Sequence, residues 1–467
     1  MNMITQAFET FLRSLRTVLI SGPDVDFGRK AEQILAASNT RLTDLLPGLF
    51  QELGQAIFED TQRREEWEAV RKDQRVLLTA FGELRFERRY YRHKETGEMA
   101  YLLDRYTRIQ AKARVNGDVR QKAVTLSAQG SYSKSAAASS PVPISRMSVC
   151  NDVSDLERFP SLNADGEKRS VKHLYVEADE DHVSLQNGQK TQVKLVYVHE
   201  GAEERNGRRA LIAPRYLAWP SGGDNDLLWE TVSKYIGQQY VPGDIQHIFL
   251  SGDCASWIRK GEEWLYPCVP VMDSFHTLKA LRELCGGKQE RVNAFLHYAR
   301  EDEFLKAREL CVGILREGPK PQREAKRRQA NYLLGNWQRI VNQRHPGAQG
   351  CSAEGHVSHI LAERLSSRPL GWSMRNMENI AQLRVMKANG QVICYEDLKK
   401  TGPGLQSAVG SSRSAALLDS ARLQKPLKKR TQSTLNSTIQ TLPVLMNGAK
   451  SPLYQALYGL CFDSAAC

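Results

Sequence analysis

Between residues 171 and 276, five apolar runs follow one another in an order that few folds can accept. HLYVEADEDHVSL (173–185), KTQVKLVYVHEG (190–201) and RRALIAPRYLAW (208–219) read as three consecutive strands, with Asn206-Gly207 as a turn before the third. DNDLLWETVSKYIGQQY (224–240) is amphipathic at helical spacing, with Asp224 as its N-cap. HIFLSGD (247–253) is a fourth strand, SWIRKGEEW (256–264) a short helix and YPCVPVMDSF (266–275) a fifth strand. The order β-β-β-α-β-α-β limits the chain to a mixed α/β sheet with helices packed against it.

Acids stand at the functional ends of this pattern. Asp179 closes the apolar part of the first strand, Asp253 closes the fourth, and Glu354 opens the helical stretch CSAEGHVSHILAERL (351–365), where Ser352 is the candidate N-cap. Asp181 lies two positions beyond Asp179 and so shares its face, leaving either residue able to serve as the first acid. Val357, Ile360, Leu361 and Leu365 turn the helix toward the core, and Glu354 shares the face of Val357 and Leu361, whereas Glu363 lies on the opposite side. Strand order and acid placement together predict an RNase H-like catalytic core. In such a core carboxylates hold hard divalent ions, Mg²⁺ or Mn²⁺, and two ions can clamp the attacking and leaving oxygens of a phosphodiester. His356 and His359 are spaced i, i+3 on the same helix, but the three acids already account for a hard-metal site. The sequence holds no GxSxG elbow, P-loop or HExxH motif.

The rest of the chain divides around this core. Residues 1–75 read as a helical region and 76–104 as a small β element, with Glu95–Glu98 as a turn and five bases, Arg85, Arg88, Arg89, Arg92 and Lys94, that could meet phosphate. Residues 105–165 read as a helical DNA-binding region. In it SYSKSAAAS, a break at Ser140-Pro141 and ISRMSVCNDV form a helix-turn-helix whose Ser145, Arg146, Ser148 and Asn151 would face base edges. The core is assigned to 166–276 plus 346–400. From Asp253 to Glu354 is 101 positions, which requires the helical insertion 277–345, where Arg327 and Arg328 belong to a basic patch suited to phosphate. Residues 401–467 read as a basic C-terminal tail.

Composition supports a polyanion partner: Lys and Arg number 65 against 53 Asp and Glu, a net charge of +12. The nine cysteines form no CxxC pair, which argues against a zinc finger and fits free thiols in a reducing cytoplasm. No run reaches the roughly 18 apolar residues of a membrane span.

The stretches FGELRFERRYYRHKETGEMAYLLD, HLYVEADEDHV, IFLSGDCASWI, VMDSFHTLKAL, YLLGNWQRI and CSAEGHVSHILAERLSSRPLGWS carry a family resemblance across about residues 80–380. The chain resembles bacterial DDE insertion-sequence transposases of the ISLre-two family. Asp273-Ser274-Phe275-His276 also resembles the [C/D]xxH signature of the Mutator and hAT transposase superfamilies, which carry a helical insertion before the final Glu. The resemblance implies a transposase that cuts and rejoins double-stranded DNA at transposon ends and in target DNA. It implies two Mg²⁺ or Mn²⁺ ions on Asp179, Asp253 and Glu354, His276 beside the scissile strand, assembly as a homo-oligomer on paired ends, and a cytoplasmic, nucleoid-associated bacterial protein. Two other readings share the core: an RNase H-like nuclease that cuts without joining, and a non-catalytic transposase-derived DNA-binding protein.

Overall fold

The computed structural model describes residues 3–20, 26–157, 162–220, 222–317, 320–367 and 371–395; the basic tail assigned to 401–467 lies outside them. The chain begins with helices α1 (Met3–Ile20), α2 (Phe27–Glu59) and α3 (Thr61–Glu66). A ribbon follows, β1 (Trp67–Thr79) paired antiparallel with β2 (Gly82–His93) and closed by the short β3 (Met99–Ala100). The helical region expected over 1–75 therefore ends early, and residues 67–75 belong to a strand. The first half of β1 is mostly exposed on both faces, so it carries no apolar alternation, and its partner strand alone defines it. The bases of this element are engaged within the protein. Arg88 pairs with Asp104 in the interior, Arg85 and Arg92 pair with Glu83 and Glu68, Arg89 donates to Gly54 and Gln55, and Lys94 to the Arg64 carbonyl.

After α4 (Leu102–Thr107) come α5 (Gly117–Ser127), α6 (Tyr132–Ser139) and α7 (Arg146–Ser154), packed around Ala123, Ala136 and Val149. Ser131 caps α6 and Ser145 caps α7, each accepting an N–H in the first turn. Two short helices joined by a turn, α6 and α7, stand where the sequence predicts them. α7 is tied to α5 by the Arg120–Asp152 pair and to the core by Asn379, which donates to the Val153 carbonyl at 2.7 Å.

The central sheet contains β4 (His173–Ser184), β5 (Lys190–His199), β8 (Arg215–Pro220), β9 (His247–Gly252) and β10 (Cys268–Met272), in the order β10-β9-β4-β5-β8. β4 pairs antiparallel with β5 and β5 antiparallel with β8, while β9 and β10 run parallel to β4. The third strand expected over 208–219 is divided. β6 (Ala202–Arg205) and β7 (Arg208–Leu211) form a separate hairpin at Asn206-Gly207, and only 215–220 joins the sheet. The left-handed Ala213 and then Pro214 break the pairing between them.

Helices cover both faces. Val176, Ala178, Val196 and Val198 meet α8 (Asn225–Gln239) through Leu228, Trp229 and Val232. Val183, Val193, Leu195 and Tyr197 meet Leu361, Leu365 and the helix Met374–Ala388 through Met377 and Ile380. This alternation sends Glu177, Asp179 and Asp181 to the second face. After the short α9 (Ser256–Arg259) and β10, the insertion folds as α10 (Ser274–Cys285), α11 (Gln289–Arg300), α12 (Phe304–Glu317), α13 (Lys320–Gly335) and α14 (Trp337–Val341) around Leu281, Leu284, Phe295 and Leu333. Asn342 and Gln343 then donate to the Pro270 and Met272 carbonyls, each at 2.8 Å, clamping its end to β10. The chain returns to the sheet in α15 (Ala353–Val357), a π-helical turn (Ser358–Ala362), α16 (Glu363–Leu365) and α17 (Met374–Ala388). Among the described residues no helix is long and apolar enough to cross a membrane, and the described cysteines are free thiols.

Candidate metal centre

Three segments far apart in sequence meet above the second face of the sheet. Asp179 extends from the middle of β4, His276 from the first turn of α10 and Glu354 from the first turn of α15. One donor atom from each lies within 4.8 Å of the other two. Asp179 is 8% exposed, so it is held by its strand, whereas Glu354 is exposed. Two carboxylates and an imidazole make a donor set suited to a hard or borderline divalent cation.

Asp179 is under electrostatic load. Burial, with the nearby charges of Glu354, Asp253 and Glu180, pushes its carboxyl up to about 7 against the single backbone N–H of Glu180, which donates at 2.8 Å. A buried carboxylate with other carboxylates around it is the condition that a divalent metal ion relieves.

Asp253 stands beside this group but outside the 4.8 Å set, and its carboxylate accepts from the Ala255 N–H at 2.8 Å. Its backbone is tightly determined. On one side Gly252 approaches β4 so closely that a Cβ there would lie 2.5 Å from the Ala178 carbonyl oxygen; on the other, Cys254 takes a left-handed conformation with φ of 65°. From the insertion, Tyr332 of α13 donates to the Asp253 carbonyl at 2.6 Å. Asp273 caps α10 by accepting from Phe275 N–H at 3.0 Å, and burial raises its carboxyl. Within the DSFH segment Asp273 therefore starts the helix that carries His276 to the cluster.

Asp181 shares the strand face but not the cluster. It accepts from the Ser366 hydroxyl at 2.7 Å, and burial raises its carboxyl. His356 is turned away from the metal-binding donors: its Nδ1 lies 3.1 Å from the Tyr216 hydroxyl, its ring packs on Tyr197, and burial lowers its pKa. Glu363 pairs with Arg384 at 2.7 Å.

Sequence reasoning missed Glu177. This residue is 2% exposed and accepts from Ser352 N–H at 2.6 Å, Ser352 Oγ at 3.0 Å, the Tyr197 hydroxyl and His199 Nε2 at 3.1 Å. Burial alone would raise its carboxyl; the hydrogen bond and charge of His199, with Tyr197 and the Ser352 amide, outweigh it and hold the group at about 2. Ser352, expected to cap its helix, stands at the N-cap position but makes no side-chain cap bond because its hydroxyl is committed to Glu177. The signal was present in VEADED, whose three acids at alternate positions, Glu177, Asp179 and Asp181, must all face one side.

The predicted DNA-contacting residues lie on two other surfaces. Ser145, Arg146 and Asn151 are exposed on α7, with Ser148 partly so. A cavity of about 670 Å³ opens between this helix and the core, with Arg146, Asn151, Arg364 and Trp372 among its walls. Arg327 and Arg328 are exposed on α13, and Arg328 lies one helical turn before the Tyr332 that touches Asp253.

Residues 27–400 match the model of a family described as "Uncharacterised protein family (UPF0236)". Similar proteins occur in Caldanaerobacter subterraneus subsp. tengcongensis. One UPF0236 protein there, whose name carries eleven locus designations, is 31% identical over 433 residues, covering 91% of this chain and 91% of its own. A second, carrying four designations, shows the same identity and coverage. With a family model spanning most of the described core, and relatives aligned nearly end to end, the chain belongs to the UPF0236 family.

Proposed function

We propose that this protein is a DDE-type transposase with an RNase H-like core, catalysing metal-dependent cleavage and strand transfer of double-stranded DNA at the ends of an insertion sequence. The convergence of Asp179, His276 and Glu354 within 4.8 Å, with Asp253 alongside, carries the reading. It is supported by a strand order in which three antiparallel strands are followed by two parallel to the first, and by relatives whose names each span several loci of one genome, a distribution expected of a mobile element.

Asp179, Glu354 and Asp253 would hold Mg²⁺ or Mn²⁺, and the two ions, when bound, supply Lewis-acid activation of the phosphodiester and of the attacking water or 3′-hydroxyl. The chain's own residues supply position. β4 fixes Asp179, α10 presents the His276 imidazole to a phosphate oxygen, and the insertion steadies Asp253 through Tyr332. α7 with Arg146 and Asn151, and α13 with Arg327 and Arg328, would hold the DNA across the site, and a homo-oligomer would pair two ends.

The test is cleavage and joining of labelled DNA carrying the element's ends, with Mg²⁺ or Mn²⁺, comparing the intact chain with Asp179→Ala, Asp253→Ala and Glu354→Ala. Cutting and joining by the intact chain, lost in every variant, is the expected result. Cutting without joining would make the protein a nuclease. Binding of the ends without any cutting would make it a non-catalytic DNA-binding protein.

A further inference from the structure

Glu177 lies two residues before Asp179 on one strand, and its main partner, Ser352, lies two residues before Glu354. We infer that Glu177 is a positioning residue that joins the Asp179 and Glu354 halves of the metal centre by holding the Ser352 backbone. The inference rests on the metal-centre reading given above.

Several observations separate Glu177 from a ligand. It is 2% exposed and both of its oxygens are occupied: Oε2 by the Ser352 amide, the Ser352 hydroxyl and Tyr197, and Oε1 by His199 Nε2. Tyr197 lies directly opposite Glu177 across the β4–β5 pair, so its hydroxyl is delivered by strand register. His199 Nε2 donates to Glu177, since a carboxylate oxygen can only accept, while its Nδ1 lies 3.0 Å from the Gly201 carbonyl and 3.2 Å from the Gly201 amide. The same Ser352 hydroxyl also lies 3.0 Å from the Tyr197 hydroxyl. The Ser352 side chain does not cap α15, so the start of the Glu354 helix is fastened to the sheet through Glu177.

The chemistry calls for a carboxylate. The groups facing Glu177 can all donate, and only an acid offers two acceptor oxygens to them. A Gln would direct an NH₂ group at a donor and leave a buried partner unsatisfied. Outer partners that hold a metal ligand in place typically matter roughly 10–100-fold for metal affinity, so a loosened Ser352 would act on metal binding before it acted on the fold as a whole.

The experiment measures Mn²⁺ binding to the full chain by electron paramagnetic resonance, with thermal melting in parallel. Four proteins are compared: wild type, Asp179→Asn, Glu177→Gln and Val232→Ala. Val232→Ala removes buried volume from the opposite face of the sheet and controls for destabilisation alone. Glu177→Gln is expected to raise the half-saturating Mn²⁺ concentration at least about tenfold. Val232→Ala is expected to melt lower yet bind Mn²⁺ as the wild type does. Unchanged Mn²⁺ binding in Glu177→Gln overturns the inference. Should Glu177→Gln not fold, Ser352→Ala and Tyr197→Phe decide the matter, since each removes one hydroxyl donor at little cost in volume: weaker binding in both supports the inference and wild-type binding in both overturns it. Equal Mn²⁺ binding by wild type and Asp179→Asn would instead overturn the metal-centre reading itself.

Discussion

Replacing Asp179 with Asn should make the metal-free protein more stable at pH 8 while removing its response to divalent metal. The folded protein holds this carboxyl at about 7, against an ordinary value of 3.8. Because the folded state favours the protonated form, the cost of ionising Asp179 begins as pH rises above 3.8 and is complete above about 7. The full difference corresponds to on the order of 4 kcal/mol. Glu354 is exposed and water screens its charge, so about 2 kcal/mol is the expected gain for the variant. Asn retains an oxygen to accept the Glu180 N–H, so the substitution removes charge with little change in shape. In melting experiments with EDTA, a gain of that size in a folded unit of this length raises the transition by roughly 2–3 °C at pH 8, and the difference should shrink as pH falls and vanish near pH 4. Adding Mg²⁺ should raise the wild-type melting temperature and leave the variant nearly unmoved. An Asn variant that melts at or below the wild type at pH 8, or one that gains as much from Mg²⁺, would refute the claim that Asp179 is a carboxylate awaiting a cation.

Other substitutions probe the supports of the site and the DNA surfaces. Gly252→Ala would place a methyl 2.5 Å from the Ala178 carbonyl and 2.8 Å from Ile258 Cδ1, so it should cost about 1–3 kcal/mol in denaturant unfolding and lower cleavage through Asp253. Reversing Arg327 and Arg328 to Glu should weaken DNA binding on all sequences alike and reduce the slope of log affinity against log salt by roughly 2, measured by fluorescence anisotropy. Asn151→Ala and Arg146→Ala should instead reduce discrimination of the element's ends from random DNA, by about 1–3 kcal/mol if the contact is bidentate, in competition binding.

Glu177 and Asp179 show how neighbouring carboxylates on one strand face acquire opposite characters. Glu177 is surrounded by donors and held at about 2; Asp179 has one backbone donor, acidic neighbours and a carboxyl near 7. The difference comes from what the rest of the chain brings to each residue. Ser352, Tyr197 and His199 close around the first, while the second has donor atoms of His276 and Glu354 within 4.8 Å. Under the proposed function, this contrast gives one acid a structural part and the other a ligand part.

Much of the core was legible because its signals are local. Apolar runs marked β4 and β5, Asp224 marked the start of α8, and parity placed Asp179 and Asp181 on one face. Where local signals are weak, the structure departs from the sequence pattern. The exposed first half of β1 carries no apolar alternation, and the 208–219 run holds a hairpin strand that ends at Leu211 before the sheet strand begins at Arg215. Sequence alone determined the strands and helices whose backbone period is strong, such as β4, β5 and α8, and which acids lie on a common face, because those follow from local periodicity and from residues at the ends of each element. Only the tertiary structure decided that Asp179 rather than Asp181 meets Glu354 and His276, that Asp253 stands just outside them, and that Glu177 ties two of the segments together. Those outcomes depend on strand order, on the turn between Gly252 and Cys254, and on an insertion that returns the chain to the sheet. Contacts between residues a hundred or more positions apart leave no local period to read.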